Sequence, residues 1–259
     1  MKAALAIAFF ATAALYASVG FGGGSTYTAL LAVSGISFAL VPVISLICNI
    51  AVVSSNTVRF SRARLVPWRK LVPLLCVSIP AAWLGGRMVV SETVFLGLLW
   101  IALLLAGTRL LLGASPRDAD PAPSHPLLGT GIGAGVGFYS GIVGIGGGIF
   151  LAPLLHQLRW DRPHRIAAAC SVFILVNSAS GLLGQLQKLA DNGGGSSAVL
   201  ADVLAFWPLL AAVVVGGTLG NRISIAWLKP RQLRRLTGFL VVMVALRLAW
   251  RWASLVGLA

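Results

Sequence analysis

Long apolar runs constrain the fold of this chain more than any other feature. Eight such runs can be drawn, and several approach the roughly 20 residues that an α-helix needs to cross the hydrocarbon core of a bilayer. Because a backbone in lipid must satisfy its own polar groups, these runs are predicted to be α-helices. The predicted elements cover residues 3–34, 36–59, 68–89, 92–112, 126–158, 163–187, 200–224 and 233–257.

Composition and charge agree with a membrane setting. Hydrophobic residues make up 58% of the chain and charged residues only 10%, with a mean hydropathy of +0.93, whereas a soluble domain carries about a quarter charged residues. We therefore expect an all-α polytopic protein of the cell membrane, surrounded by lipid. The net charge of +14 comes mostly from lysines and arginines between the apolar runs. That distribution is the positive-inside pattern of a membrane protein and argues against nucleic-acid binding.

One connection divides the chain into two halves. The segment 113–125 is rich in proline and aspartate, and both of its flanks are apolar. This composition is typical of a linker. The sequence therefore predicts a first membrane repeat at 1–112 and a second at 126–259.

Two motifs recur in the same order in both halves. GFGGG at 20–24 matches GIGGG at 144–148, a displacement of 124 residues. Further on, VPLLCVSIPAAWLGGRM at 72–88 resembles WPLLAAVVVGGTLGNRI at 207–223, a displacement of 135 residues. Self-similarity at a nearly constant spacing indicates an internal duplication.

The charges of equivalent connections predict that the two repeats are inverted. The connection 59–70 carries five positive charges, and its counterpart 188–199 carries none net. The connection 222–235 also carries five, and its counterpart 87–92 is neutral. Since positive connections face the cytoplasm, equivalent connections would lie on opposite sides of the membrane. Each half then crosses an odd number of times, so one element, the glycine-bearing one, is expected to be a broken, re-entrant helix.

The paired triple glycines predict a substrate site. Glycine permits a tight break and close approach of backbone N–H groups to a ligand, and the helix that follows offers a positive dipole end to an anion. Broken helices of this kind form midplane substrate sites in transporters with inverted repeats. The alternative is close helix packing, which we favour for scattered glycines such as Gly85, Gly86, Gly216, Gly217 and Gly220. The predicted substrate-binding residues at the breaks are Gly22, Gly23, Gly24, Ser25, Gly146, Gly147 and Gly148.

Polar side chains inside the second and sixth apolar elements are further candidates. Asn49 and Asn177 each offer two amide donors to an oxyanion without the cost of burying a charge. Hydrogen bonding between helices is an equally good explanation for both asparagines. Ser171, with Ser45 and Ser178, could assist on the same elements. We include Asn49, Ser171 and Asn177 in the predicted substrate site.

These motifs resemble the sulfite exporter TauE/SafE family of membrane permeases. GFGGG, GIGGGIFLAPLL, CSVFILVNSASGLLG and IPAAWLGGRM carry the resemblance, which covers nearly the whole chain. Its most specific part is GIGGG followed five residues later by Pro153, and the first copy departs from it with Ala29. The resemblance implies a secondary transporter of the bacterial inner membrane that exports a small sulfur-containing anion such as sulfite or an organosulfonate.

Two alternatives are a membrane-embedded enzyme and a permease for an unrelated anion. An enzyme would need titratable or metal-binding residues at membrane depth, but His125, His156 and His164 fall near element ends. The three cysteines lie in apolar runs without a CxxC spacing, so we expect buried thiols and neither a metal nor a cofactor. The six acidic residues also fall in connections or at element ends. This distribution favours export driven by the membrane potential without proton coupling.

Overall fold

The fold is all-helical in the residues that the structure describes. A computed structural model describes residues 2–18, 20–112, 126–191, 204–223 and 230–257, so the predicted linker 113–125 lies outside the described residues. Ten helices fall within these ranges. They are α1 (Lys2–Ser18), α2 (Gly24–Val33), α3 (Val41–Arg62), α4 (Trp68–Arg87), α5 (Glu92–Leu112), α6 (Pro126–Val143), α7 (Gly148–Gln157), α8 (Pro163–Asp191), α9 (Trp207–Ile223) and α10 (Pro230–Val256).

The predicted all-α class is confirmed, and the ends of the predicted elements differ from those of the helices by at most seven residues. Two predicted elements each hold a long helix and a short one. The element 3–34 holds α1 and α2, and the element 126–158 holds α6 and α7. The short helices have ten residues each, about 15 Å of α-helix, which is half the hydrocarbon thickness.

Helix ends follow the local sequence. In α3, Pro42 stands in the first turn, where a missing N–H costs nothing, and Arg59 and Arg62 stand in the last turn, where cations interact favourably with the dipole. In α5, Glu92 begins the helix and the Ser91 hydroxyl accepts a hydrogen bond from the Val94 N–H. These signals account for both ends of α3 and for the start of α5.

Small residues let pairs of helices approach closely. On α6, a Cβ added at Gly137 would lie 2.6 Å from the backbone oxygen of Ser78 on α4, and Gly141 packs in the same way against Ala82. On α9, Gly216 packs against the backbone of Phe10 on α1. The pairs α4–α6 and α1–α9 are equivalent under the predicted duplication. Similar backbone contacts at Gly85, Gly86 and Gly220 agree with the packing role that we favoured for them.

Ion pairs join helix ends and show which helices run in the same direction. Lys70 near the start of α4 binds Asp161 just before α8, with an N–O distance of 3.1 Å. Arg87 at the end of α4 pairs with Asp191 at the end of α8, so α4 and α8 run parallel.

A further ion pair joins α5 and α10. Glu92 at the start of α5 accepts a 2.9 Å hydrogen bond from Arg251 near the end of α10. Because one helix begins where the other ends, α5 and α10 run antiparallel.

Three of the described helices are long and apolar enough to cross a membrane. They are Val41–Arg62, Glu92–Arg109 and Pro163–Asp191. Large apolar side chains such as Val72 and Phe239 are exposed on the outside of the helical assembly, as lipid contact requires. The expectation that all three thiols are buried is wrong for Cys76, because α4 turns that face outward.

The close α4–α6 contact can be tested by adding one methyl group. Gly137→Ala places a Cβ against the Ser78 backbone, which cannot move away as a side chain would. We expect it to destabilise the purified protein by about 1–3 kcal/mol, the usual range for overpacking. The measurement is thermal unfolding in detergent.

The matched control is Gly135→Ala on the same helix, where an added Cβ meets nothing within 4 Å. This change is expected to be neutral or stabilising by up to about 1 kcal/mol, because alanine is the better helix former. Equal melting temperatures for the two variants would contradict the packing role.

Candidate functional site

A glycine in the left-handed conformation precedes each of the two short helices. Gly23 precedes α2 with φ of 84°, and Gly147 precedes α7 with φ of 80°, both in the left-handed region that favours glycine. Neither residue caps its helix with a side chain. The N–H groups of Thr26 and Phe150 donate to the carbonyls of Gly23 and Gly147, so only the first two N–H groups of each short helix lack an acceptor within the helix.

Asn49 on α3 lies between the two glycine motifs. Its Nδ2 donates to the Ile145 carbonyl at 3.2 Å and to Ser178 Oγ at 3.0 Å. A Cβ added at Gly22 would lie 2.7 Å from Asn49 Cγ, and one added at Gly146 would overlap Asn49 Nδ2. The same side chain contacts Gly24 at the start of α2. We call Gly22, Gly24, Asn49, Ile145, Gly146 and Ser178 the glycine–asparagine cluster.

Hydroxyl groups join the first short helix to the second motif. The Thr28 hydroxyl lies 2.7 Å from Ser45 Oγ and 3.2 Å from the carbonyl oxygen of Gly144. Ser45 donates in turn to the Gly24 carbonyl at 3.0 Å. Thr28, Ser45 and Gly24 are fully or almost fully buried. Sequence analysis missed Thr28, because threonine in an apolar run commonly bonds only to its own helix.

The other predicted glycines pack against apolar groups. Gly147 lies against Phe173 and Val136, and Gly148 lies against Ile174. Gly23 lies near Thr12 and Tyr27, and Ser25 is buried in the first turn of α2. These glycines and Ser25 lie within two positions of members of the glycine–asparagine cluster in the sequence.

Two predicted polar residues bond elsewhere. Asn177 donates to Ser78 Oγ on α4 at 3.1 Å and to the Phe173 carbonyl at 2.9 Å. Ser171 lies 3.1 Å from the Thr57 hydroxyl, two turns along α8 from Ser178. In this conformation the amide donors of both asparagines therefore take part in hydrogen bonds within the protein, the second of the two explanations offered above. The Oδ1 atoms of Asn49 and Asn177 have no hydrogen-bond partner among the described residues.

Tyr27 is a second polar residue that sequence analysis missed. Its ring is fully buried and stacks on Phe9 at a centroid distance of 4.8 Å. Its hydroxyl lies 3.2 Å from the Cβ position of Gly23 and has no hydrogen-bond partner among the described residues. An aromatic residue in an apolar helix usually indicates core packing, so only its position three residues after the glycines could have identified it.

Charged groups lie away from the cluster. Asp161, Asp191 and Glu92, the three acidic residues within the described ranges, each form an ion pair at a helix end. Groups of His, Cys, Asp or Glu that could hold a metal ion are absent from the described part of the chain. The cluster thus offers backbone and neutral side-chain groups.

Comparison with known proteins identifies the family. The family model described as sulfite exporter TauE/SafE matches residues 4–248, which include both glycine motifs and eight complete helices. The chain belongs to this family. The resemblance noted from the motifs is confirmed, and the family is one of membrane transporters.

Two relatives described as membrane transporters agree with the assignment. The chain is 34% identical to the probable membrane transporter protein y4hK of Sinorhizobium fredii, over 95% of this chain and 97% of the relative. It is 23% identical to the probable membrane transporter protein MamO of Magnetospirillum gryphiswaldense, over 78% of this chain and 38% of that protein. No solved structure matches the chain. With the apolar helices, these likenesses establish a multi-pass membrane protein.

The contact between Gly22 and Asn49 predicts strong coupling between their mutations. Gly22→Ala should destabilise the protein by about 1–3 kcal/mol, because the new Cβ overlaps the Asn49 carboxamide. In an Asn49→Ala background the carboxamide is gone, so the same change should cost little. Thermal unfolding of the four proteins gives the coupling energy, which we expect to lie in the range of about 0.5–3 kcal/mol found for residues in contact.

Gly129→Ala is the control for this cycle, since an added Cβ there meets nothing within 4 Å. Its effect should be the same with and without Asn49→Ala. Additive effects of Gly22→Ala and Asn49→Ala would show that the two residues do not meet as described.

Proposed function

We propose that this transporter exports a small sulfur-containing anion, such as sulfite or an organosulfonate, across the bacterial inner membrane. The anion would bind near the midplane, between the starts of α2 and α7. The observation that carries the proposal is that one side chain, Asn49, contacts both glycine motifs. The proposed binding residues are Gly22, Gly23, Gly24, Ser25, Asn49, Gly146, Gly147 and Gly148, with Ser171 and Asn177 along α8.

The helix ends favour an anion for an electrostatic reason. The start of an α-helix carries about half a positive charge, and it presents unbonded N–H groups. Two such ends meeting in a medium of low dielectric repel each other, and an anion between them converts that repulsion into attraction. Sulfite and sulfonate groups present several oxygen acceptors, which suits a ring of N–H and hydroxyl donors.

Near the C-terminal end of each short helix, a basic side chain donates a hydrogen bond to a backbone carbonyl. Arg251 donates to the Ala32 carbonyl near the end of α2. Lys70 donates to the Trp160 carbonyl at 2.8 Å, just beyond α7. We propose that these two hydrogen bonds break in turn, so that the glycine–asparagine cluster becomes accessible first from one side of the membrane and then from the other.

Helix directions support inverted repeats. Lys70 and Asp161 bring the α3–α4 and α7–α8 loops together at one end of the molecule. Late in α3, Thr57 meets Ser171 early in α8. The equivalent helices α3 and α8 therefore run in opposite directions, as an inverted arrangement with re-entrant α2 and α7 requires.

The topology can be tested by cysteine labelling. Single cysteines replace Ser37 after α2, Gln157 at the end of α7, or Ala63 after α3, all exposed positions, in a protein whose three native cysteines are alanine. The positive-inside rule predicts that an impermeant thiol reagent reaches positions 63 and 157 from the cytoplasm and position 37 from outside. Labelling of positions 37 and 157 from the same face would contradict the inverted arrangement.

Energy coupling is proposed to come from the membrane potential alone. The acidic residues of the described ranges are tied up in ion pairs at helix ends, which leaves no carboxylate there to relay protons at mid-depth. A potential negative inside favours anion exit by about 2.3 kcal/mol per charge per 100 mV. This corresponds to a gradient of roughly fifty-fold for a monoanion.

Flux in proteoliposomes tests both substrate and driving force. We expect sulfite or an organosulfonate, compared with thiosulfate, sulfate and chloride, to move outward against roughly a fifty-fold gradient at a clamped potential of about 100 mV. Gly147→Val, in protein shown to remain folded, should abolish this flux because the glycine conformation at the start of α7 is lost.

Three results would contradict parts of this proposal. Selective flux of an anion without sulfur would indicate the alternative permease. Uphill flux driven by a pH gradient at zero potential, after correction for the protonated acid, would refute uncoupled export. Normal flux through folded Gly147→Val would remove the proposed site.

A further inference from the structure

Asn56 is a buried asparagine that neither sequence analysis nor the proposed site uses. It lies on α3, seven residues after Asn49, and its exposed fraction is 0%. Neither Nδ2 nor Oδ1 has a hydrogen-bond partner among the described residues. Most buried side-chain amides have at least one partner, so a wholly unbonded amide requires a specific explanation.

The position of Asn56 links it to the proposed path. Residues seven apart lie on the same face of an α-helix, about 10 Å apart along its axis. One turn further along α3, Phe60 packs against Gly20, while Asn49 packs against Gly22. Asn56 therefore lies between two points at which α3 contacts the first glycine motif.

The neighbouring residues lead from the cluster towards the basic loop. Thr57, the next residue, lies 3.1 Å from Ser171 on α8. The helix then ends with Arg59 and Arg62, and positive charges continue into the loop before α4. Buried polar groups thus continue along α3, from Asn49 through Asn56 towards the end that the positive-inside rule assigns to the cytoplasm.

We propose that Asn56 forms a second binding position for the transported anion, between the cytoplasmic loops and the glycine–asparagine cluster. The inference rests on the proposed function. Nδ2 would donate to an oxygen of the anion, and Oδ1 would accept from a proton on the anion or from its hydration water. A neutral donor suits this position, because an ion in transit must bind well enough to enter and weakly enough to leave.

The effect of a substitution on stability distinguishes this role from a structural one. An amide that bonds to nothing in the fold costs stability, whereas replacing it with an apolar group of the same branching is neutral or favourable. A structural amide behaves in the opposite way. Asn177, which donates to Ser78 Oγ and the Phe173 carbonyl, provides the comparison on α8.

The test combines melting temperature with flux of sulfite and an organosulfonate. Asn56→Leu, and Asn56→Ala as a variant that adds no volume, should melt at or above the wild-type temperature and lose roughly tenfold or more of the flux. Asn177→Leu should melt below the wild type. Ser54→Ala, which removes only a bond to the Ile50 carbonyl of the same helix, should match the wild type in both measurements.

Introducing a negative charge at Asn56 gives a second test. Asn56→Asp should raise the KM for a dianion by roughly tenfold or more, because like charges repel at the binding position. Wild-type flux in Asn56→Leu and Asn56→Ala, or lower melting of both, would overturn this inference and leave the proposed function intact. Absence of sulfur-anion flux in the wild type would overturn both.

Discussion

A backbone that leaves its helix inside the hydrocarbon core finds no water there, so its polar groups must be satisfied by protein. The centre of this structure meets that requirement with short polar side chains. Asn49 donates to the Ile145 carbonyl, and the Thr28 hydroxyl lies within hydrogen-bonding distance of the Gly144 carbonyl. Because these donors come from the first half and the carbonyls from the second, the same bonds that satisfy the backbone also hold the halves together.

The helices themselves follow from the sequence because lipid permits little else. Apolar runs of sufficient length had to be helical, and each glycine motif, 20–24 and 144–148, ends on the first residue of a short helix. The packing role of Gly85 and Gly216 was also predictable, since only small residues allow backbones to approach so closely. The family assignment rests on the same motifs.

The arrangement of the site was less predictable, for a physical reason. A helix that is apolar on most of its surface has no polar face to show its rotation, and so the sequence alone does not say what Asn49 or Asn177 contacts. Asn49 turned towards the glycines, whereas Asn177 turned towards Ser78 on α4. For the same reason, the sequence did not predict that Cys76 lies on the outer face of α4, or that Thr28 and Tyr27 lie close to the glycines.

The long-range hydrogen bonds at the centre can form only late in translation. Ile145, which supplies the carbonyl acceptor of Asn49, lies 96 positions further along the chain. At about 5–20 residues per second, translation takes roughly 5–20 s to supply it. During that interval α2, which is too short to span the bilayer, has Ser45 as a partner for Thr28 but lacks its partners from the second half, the Gly144 carbonyl and Arg251. The first half is therefore inserted into the membrane before these hydrogen bonds form, and its centre reaches the final structure only after the second half has been inserted.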